Sequence, residues 1–169
     1  YGGGANPAYS YIKNSTKIET QTCVIEQEVF CKKIKNKIPK GYKERVKYYS
    51  SFDYLEKKDF DIVCFNSSIQ YLEDFKEKLD KVIELNPSYI LITRTNFHMG
   101  EEDYFALEHY PAGSSHPYIF FSYPRFIELL ETRNFSLVFS NKYNVNRYQH
   151  KSIDGDTFYH RDLLFEHIN

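Results

Sequence analysis

The chain is predicted to fold as an open α/β sheet, mostly parallel, with helices on both faces and an antiparallel hairpin at its C-terminal end. Three observations predict it. Segments with strand and helix patterning alternate along most of the chain. Two continuous apolar runs, Phe60–Phe65 and Tyr89–Thr93, have the pattern of strands buried on both faces of a parallel sheet. The last two β-rich runs, Phe135–Ser140 and Thr157–Phe165, follow one another with no helical segment between them.

Each element has its own signal. Asn6–Lys17 is predicted to be the first helix, with Tyr9 and Ile12 on one face. Thr22–Glu26 reads as a strand and Gln27–Asn36 as a helix. Arg45–Tyr49 is a short strand that stops at Ser50-Ser51. Phe60–Phe65 is the next strand. Leu72–Leu85 is helical, with Phe75, Leu79, Val82 and Ile83 along one side, and Asn86-Pro87 ends it before the strand Tyr89–Thr93. The stretch from His98 to Pro117 then loses periodicity and carries Gly100, Pro111 and Gly113-Ser114-Ser115, so it is expected to be a long irregular insertion that covers the site as a lid. Tyr123–Thr132 follows as a helix with Phe126, Leu129 and Leu130 inward, and the closing hairpin turns through Asp154-Gly155-Asp156.

The composition sets bounds. At 169 residues the chain has the size of a single domain with a sizeable core. Its formal net charge is -1, from 22 basic and 23 acidic residues, so no global field draws it to nucleic acid or to an anionic membrane. The lysines between Lys32 and Lys40 read as a solvated helix end and loop. No window reaches the roughly 18 apolar residues of a membrane span. The three cysteines, Cys23, Cys31 and Cys64, form no CxxC pair, and an odd count without a framework points to a reducing, cytoplasmic setting. Glu101-Glu102-Asp103 cannot converge on one ion from a regular element, so no metal site is expected.

The functional signal lies at the ends of the predicted strands. Gly2-Gly3-Gly4 precedes the first helix, and Glu26 closes the next strand about 20 residues on, the separation at which a glycine turn and an acid hold a ribose-bearing ligand. Glycines let backbone N–H groups approach such a ligand closely, and a strand-end carboxylate accepts from both ribose hydroxyls. In such domains the glycine turn follows a buried first strand. Nothing precedes Tyr1 here, so that strand is expected to be missing from the chain. Its place is expected to be empty or filled from elsewhere, and an open strand edge there invites pairing with a second copy as a homodimer.

Taken in order, Tyr1-Gly2-Gly3-Gly4, Val24-Ile25-Glu26-Gln27, Ser50-Ser51-Phe52, Phe60-Asp61-Ile62-Val63, Asn66-Ser67-Ser68-Ile69-Gln70-Tyr71-Leu72-Glu73-Asp74, Thr93-Arg94-Thr95-Asn96-Phe97 and the terminal hairpin resemble the class I S-adenosylmethionine-dependent methyltransferases. Within that superfamily the chain looks most like a group of bacterial methyltransferases found among surface-polysaccharide genes. The resemblance spans nearly the whole chain. It implies a Rossmann-like sheet, S-adenosylmethionine as cofactor, and methyl transfer to a small-molecule acceptor, a sugar or sugar-linked group. The acidic residue that this superfamily usually carries at or just before the glycine turn is absent.

The resemblance also implies roles. Gly2, Gly3 and Gly4 would approach the methionine part and ribose of the cofactor, and Glu26 would take the ribose hydroxyls. Gln27, Ser51 and Phe52 would frame the adenine. Asn66 and Ser67 would line the methionine end, since ligands in open α/β sheets sit beyond the carboxyl ends of the strands. On the acceptor side the candidates are Tyr71, Arg94 as a clamp for a phosphate or carboxylate, and His98 or His116 as the proton acceptor. Two other readings stay open from these residues. One is an NAD-dependent or nucleotide-sugar enzyme, which shares the glycine turn and the ribose acid but whose short-chain members use a Tyr-x-x-x-Lys pair that is absent here. The other is a non-catalytic domain that keeps the fold for binding.

Overall fold

The structure is a computed structural model and describes residues 8–34, 36–55, 59–109, 113–143 and 158–168. It contains two compact units, Tyr1–Lys58 and Asp59–Asn169.

The first unit is built on two parallel strands, β1 (Thr22–Ile25) and β2 (Val46–Tyr49), paired from Thr22↔Val46 to Ile25↔Tyr49. Helix α1 (Ala8–Thr16) precedes β1, and α2 (Glu28–Ile34) makes the crossover to β2. The core is small and centred on one ring. Tyr9 is fully buried against Val24 and Val46, with Tyr42 and Tyr48 packed alongside, and the Tyr9 and Tyr42 rings meet edge-on at 5.1 Å. The Tyr9 hydroxyl reaches Glu19 Oε2 at 3.3 Å, and Lys13 Nζ stands 3.1 Å from the same carboxylate. That lysine holds the Glu19 carboxyl below its usual range. All the elements predicted here are present among the described residues.

The second unit is a mixed sheet. Strand β3 (Ile62–Asn66) is followed by α3 (Phe75–Ile83) and β4 (Tyr89–His98). Then come β5 (Tyr104–His109), β6 (Ser115–Ser122), α4 (Tyr123–Glu131), β7 (Phe135–Tyr143) and β8 (Tyr159–His167). The strand order is β5-β6-β4-β8-β7, with β3 also on β4. β8 runs antiparallel along the length of β4 and takes one of its edges. The other edge is therefore shared. β3 pairs with Tyr89–Thr93 and β6 with Phe97 and His98, both parallel. The core lies under β4, where Ile90, Ile92 and Phe97 are fully buried with Leu163 and Phe165 of β8. Helices α3 and α4 close it with Phe75, Leu79, Val82, Phe126 and Leu130, the faces read from their periodicity. Phe97, Phe121 and Phe126 pack ring to ring at 5.1 to 5.9 Å. Ser122 caps α4 and Pro124 stands in its first turn, a start that proline tolerates because it has no N–H to lose there.

Four expectations are corrected. The segment from His98 to Pro117 is not an irregular lid. It forms β5 and β6, paired antiparallel from Tyr104↔Phe120 to His109↔Ser115. This sheet is accordingly mixed rather than mostly parallel, with two parallel pairings (β3·β4, β4·β6) and three antiparallel ones (β4·β8, β5·β6, β7·β8) among the described residues, while β1·β2 is a separate parallel pair. β3 is not buried on both faces: only Phe65 is, and Ile62 is 45% exposed. Among the described residues β3 has a strand partner on one edge only. Finally, α3 begins at Phe75 rather than at Leu72, after a separate 3-10 turn at Ile69–Tyr71. The closing hairpin is present as β7–β8, and the turn expected at Asp154-Gly155-Asp156 lies outside the described residues.

Candidate functional site

Because β1 and β2 are parallel, their carboxyl ends lie side by side. Glu26 leaves β1 there, and its backbone N–H donates to the Tyr49 carbonyl at 2.9 Å, one residue before Ser50-Ser51. The Glu26 carboxylate accepts from the Gln27 N–H at 3.1 Å, and its carbonyl accepts from the Cys31 thiol at 3.4 Å. Desolvation and the neighbouring Glu26 charge push the Cys31 thiol up. Ser51 opens a 3-10 turn, accepting from the Asp53 N–H at 3.2 Å, and that turn holds Phe52 buried. Gln27 is exposed. The first unit thus gathers Glu26, Gln27, Ser51 and Phe52 at one end of its sheet, as the sequence suggested. Gly2, Gly3 and Gly4 lie outside the described residues.

The corresponding end of the second unit is more constrained. The register of β4 on β8 shifts between Ile92 and Thr95, so Thr93 and Arg94 together oppose Asp162 in a β-bulge. Arg94 has φ 54°, a left-handed conformation rare for a side chain larger than glycine. Its N–H donates to Asp162 Oδ1 at 2.8 Å. The Tyr143 hydroxyl donates to the same oxygen at 3.2 Å, and burial together with the Asp162 charge pushes the Tyr143 phenol up to about 12. Directly across the sheet, Ser67 has φ 51° where the chain leaves β3. Its N–H donates to the Thr93 carbonyl at 2.9 Å, and the Thr93 hydroxyl donates to Asn66 Oδ1 at 3.0 Å. Two strained residues therefore sit next to each other where β4 exchanges β3 for β6. Such strain persists only where surrounding bonds fix it, and it concentrates at functional sites.

The polar interior of the protein collects at the same place. The buried polar side chains among the described residues are Ser68, Gln70, Thr95, Asn96, His98 and Ser122, and all lie on the exit of β3, the far half of β4 or the end of β6. Gln70 links two of the strands, donating to Ser67 Oγ at 3.1 Å and accepting from the Thr95 hydroxyl at 3.3 Å. Asn96 Nδ2 donates to the Tyr118 hydroxyl at 2.6 Å. The Tyr71 ring stands edge-on to Tyr118 at 5.1 Å, and its hydroxyl donates to Glu108 Oε2 at 2.9 Å. The hairpin β5–β6 is thereby tied to the turn that follows β3.

The sequence candidates divide on this ground. Asn66, Ser67 and Arg94 are brought together. Arg94 does not end its strand, which continues to His98. Its backbone is held in the bulge, and its side chain is exposed. The two histidines are not brought together. His98 is buried, and its Nδ1 accepts from the Gly100 N–H at 3.1 Å. That bond leaves the proton of the neutral ring on Nε2. The ring packs against Tyr104 at 4.6 Å and Phe158 at 5.5 Å. His116 is exposed on β6 opposite Glu108. It lies six residues before Ser122, the partner of His98, so the two rings stand about 20 Å apart along the strand. Sequence reasoning missed Asp162, Glu108, Thr95, Asn96 and Tyr118 as parts of the site. One signal was available, because Thr93-Arg94-Thr95-Asn96 interrupts the apolar run of a central strand with four polar residues. Among the described residues no three His, Cys, Asp or Glu side chains converge as metal ligands.

No family model matches the chain. No curated protein matches it by sequence. Solved structures do match it in shape. A SAM-dependent methyltransferase from Methanosarcina mazei superposes with a TM-score of 0.62 over 99% of this chain and 90% of its own, at 11% identity. The fold is that of the class I methyltransferases. The glycopeptide N-methyltransferase MtfA, complexed with sinefungin, gives 0.63 over 99% of this chain and 84% of its own, at 11% identity. The Burkholderia thailandensis 1,6-didemethyltoxoflavin-N1-methyltransferase, with its bound substrate and S-adenosylhomocysteine, gives 0.56 over 97% and 78%, at 13% identity. In this class I fold the antiparallel pair β7–β8 is the part that the C-terminal β-runs predicted. No helix of the described residues is long and apolar enough to cross a membrane.

Proposed function

We propose that the chain is an S-adenosylmethionine-dependent methyltransferase acting on a small molecule. The observation that supports this most directly is the coincidence of a class I fold with polar strand ends: Glu26 and Ser51 on one parallel pair, and on the other Asn66 with the strained Ser67 and Arg94. Within the first unit, a carboxylate at a strand end suits ribose hydroxyls and the half-apolar Ser51-Phe52 turn suits a purine; within the second, the Asn66 amide suits an amino-acid group. When bound, S-adenosylmethionine supplies an activated methyl group on a sulfonium.

The chain's own part is to position and to manage a proton. Gln70 and Thr95 fix Ser67, and Thr93 fixes Asn66, so this ledge is set before any ligand arrives and needs little reorganisation. His98 offers Nε2–H as a donor, because Nδ1 is occupied by Gly100. His116 is then the candidate proton acceptor, beside the Glu108 carboxylate that Tyr71 orients. The acceptor is proposed to be a sugar or sugar-linked group, as the motif resemblance implies.

Calorimetry tests this reading. S-adenosylhomocysteine is expected to bind and NAD is not, and Glu26→Ala is expected to weaken S-adenosylhomocysteine. Binding of NAD alone would transfer the chain to the hydride-transfer enzymes. Binding of neither would leave a non-catalytic domain.

A further inference from the structure

We propose that Lys142 of β7 and Arg161 of β8 form an oxyanion site for a phosphate group. This goes beyond the methyl-transfer reading and does not depend on it. The two residues stand directly opposite each other in the β7–β8 register, so their side chains leave the same face of the sheet with Cβ atoms about 4.5–5.5 Å apart. It is the face that α4 covers, since the Arg161 guanidinium lies 4.1 Å from the centre of the Tyr123 ring. Like charges set directly opposite on an antiparallel pair repel. Lys78, Arg125 and Arg133 of the same unit each meet a carboxylate, of Asp74, Glu102 and Asp80. Lys142 and Arg161 do not. Among the described residues their side chains touch the Tyr159 ring, the Tyr123 ring and the Ser140 hydroxyl, all of them neutral. Asp162, the next residue along β8, belongs by strand alternation to the other face, where it serves the Arg94 N–H and the Tyr143 hydroxyl.

The groups around the pair are set to donate. Ser140 Oγ accepts from Arg161 Nη1 at 3.2 Å and from the Tyr123 hydroxyl at 3.4 Å. Those two bonds use its lone pairs, and its own O–H remains for an outside acceptor. Arg161 commits one of its N–H groups to Ser140, and Lys142 meets only a ring face, so most of their donors are still available. The two heads lean apart, as opposed like charges do. Arg161 reaches back to Ser140, while Lys142 reaches forward over Tyr159, with Nζ 3.1 Å from the ring centre. The rings hold the cations without neutralising them, and both side chains can swing onto one oxyanion placed between them. A phosphate monoester carries about -1.5 to -2 charge at neutral pH and offers three acceptor oxygens, a match for two cations and a hydroxyl. A carboxylate has one charge and two oxygens. Thr95 stands opposite Arg161 on β4, so the pair lies at the end of the sheet that also carries the Arg94 bulge, the end beyond which open α/β sheets bind ligands.

Calorimetry on the whole chain tests the site, with inorganic phosphate and glucose 6-phosphate as probes. Both are expected to bind. Lys142→Gln is expected to weaken binding about tenfold or more, the loss of one contact to a charged group, and Lys142→Arg is expected to restore it. Arg161→Gln is expected to weaken it at least as much. That change also removes the stacking on Tyr123, so a circular dichroism spectrum accompanies it, and if it unfolds the chain the exposed Lys142 decides alone. Lys76→Gln is the matched control, because Lys76 Nζ also stands over a ring, 5.8 Å from the centre of Phe75, but on a helix rather than opposite a second cation. It is expected to leave binding unchanged. Glucuronate, a sugar with one carboxylate, is expected to bind more weakly than glucose 6-phosphate. Free phosphate and a phosphorylated ligand share the chemistry of the site. Tighter binding of glucose 6-phosphate than of inorganic phosphate assigns it to a phosphorylated ligand, and equal binding assigns it to the free ion. Binding of neither probe overturns the proposal and would mean that a carboxylate of this chain fills the place. Binding that ignores Lys142→Gln overturns it too. So does an equal loss in Lys76→Gln, which would make the effect one of overall charge, and so does glucuronate bound as tightly as the phosphate probes.

Discussion

The two parallel pairs of this protein end in polar residues of similar kind, yet they are built on opposite principles. At the end of β1 and β2 the backbone is relaxed. The one carboxylate, Glu26, hydrogen-bonds the next residue's N–H. At the end of β3 and β4 two residues are left-handed, and a web of side chains from β3, β4, β7, β8 and the 69–71 turn holds them. The first arrangement can exchange its local bond for a ligand's hydroxyls at little cost. The second cannot move without breaking several bonds together. On the methyl-transfer proposal, the relaxed end is the one expected to recognise a ligand and the strained end the one expected to hold its groups in place.

The hardest way to break that contrast is to remove the anchor of the strained end. Asp162→Ala deprives the Arg94 N–H and the Tyr143 hydroxyl of their shared acceptor. Bonds to a charged group contribute about 1.5–3 kcal/mol each when buried. These are partly exposed, so a combined loss of about 2–3 kcal/mol is expected, read as a lower urea midpoint with unchanged slope. A change below the error of the measurement would mean that the bulge is held by β-pairing alone.

The relaxed end should respond in the opposite sense. Glu26→Gln keeps the shape and removes the charge. Stability is expected to change by no more than about 0.5 kcal/mol, as for most surface substitutions. Affinity for S-adenosylhomocysteine is expected to fall by about 1–3 kcal/mol, because a charged acceptor is lost. Calorimetry and a urea titration on the same preparation separate the two effects. A stability loss that matches the binding loss would make Glu26 structural and erase the distinction between the ends.

The two ends also differed in legibility. The place of Glu26 at a strand end was readable, because it depends on the pattern of one short local strand. Asp162 was not, because it acts on a backbone N–H 68 residues away, and no local pattern announces a bulge in another strand. The hairpins show the same split. β7–β8 was legible because Phe135, Leu163 and Phe165 are core residues with strand patterning. β5–β6 was not, because β5 is an edge strand whose apolar side chains face outward. Its Tyr-Phe-Ala-Leu run lacks the in-and-out alternation that burial on one face imposes, and the surrounding Gly, Pro and Ser residues read as loop.

Relieving the strain directly is a milder test. Arg94→Gly removes the Cβ that makes φ 54° unfavourable, a penalty of about 1–2 kcal/mol for an ordinary residue. Part of the gain is offset by the greater freedom of glycine in the unfolded chain. A net stabilisation of about 0.5–1 kcal/mol is expected, together with weaker binding of any acceptor bearing a phosphate or carboxylate, since the guanidinium goes too. A destabilised variant would show that the Arg94 side chain, and not only its N–H, supports the bulge.

The smallest effect is confined to high pH and concerns Tyr143. Its phenol is raised from 10 to about 12 by burial and by the Asp162 carboxylate beside it. A group whose pKa is higher folded than unfolded contributes its stability in full below the unfolded value. The contribution then declines as pH rises through the folded one. At neutral pH the contribution of Tyr143 is therefore complete and independent of pH, and a progressive loss is expected between about pH 10 and 12. The phenol is partly exposed, so solvent screening keeps the effect modest. The difference in tyrosinate absorbance between the unaltered chain and Tyr143→Phe isolates this phenol from the other 15 tyrosines of the 16 in the chain. Its midpoint is expected near 12, and in an Asp162→Asn background it should move down toward 10. A midpoint that ignores Asp162 would leave burial as the whole cause and would detach Tyr143 from the buttress that sets the strained end apart.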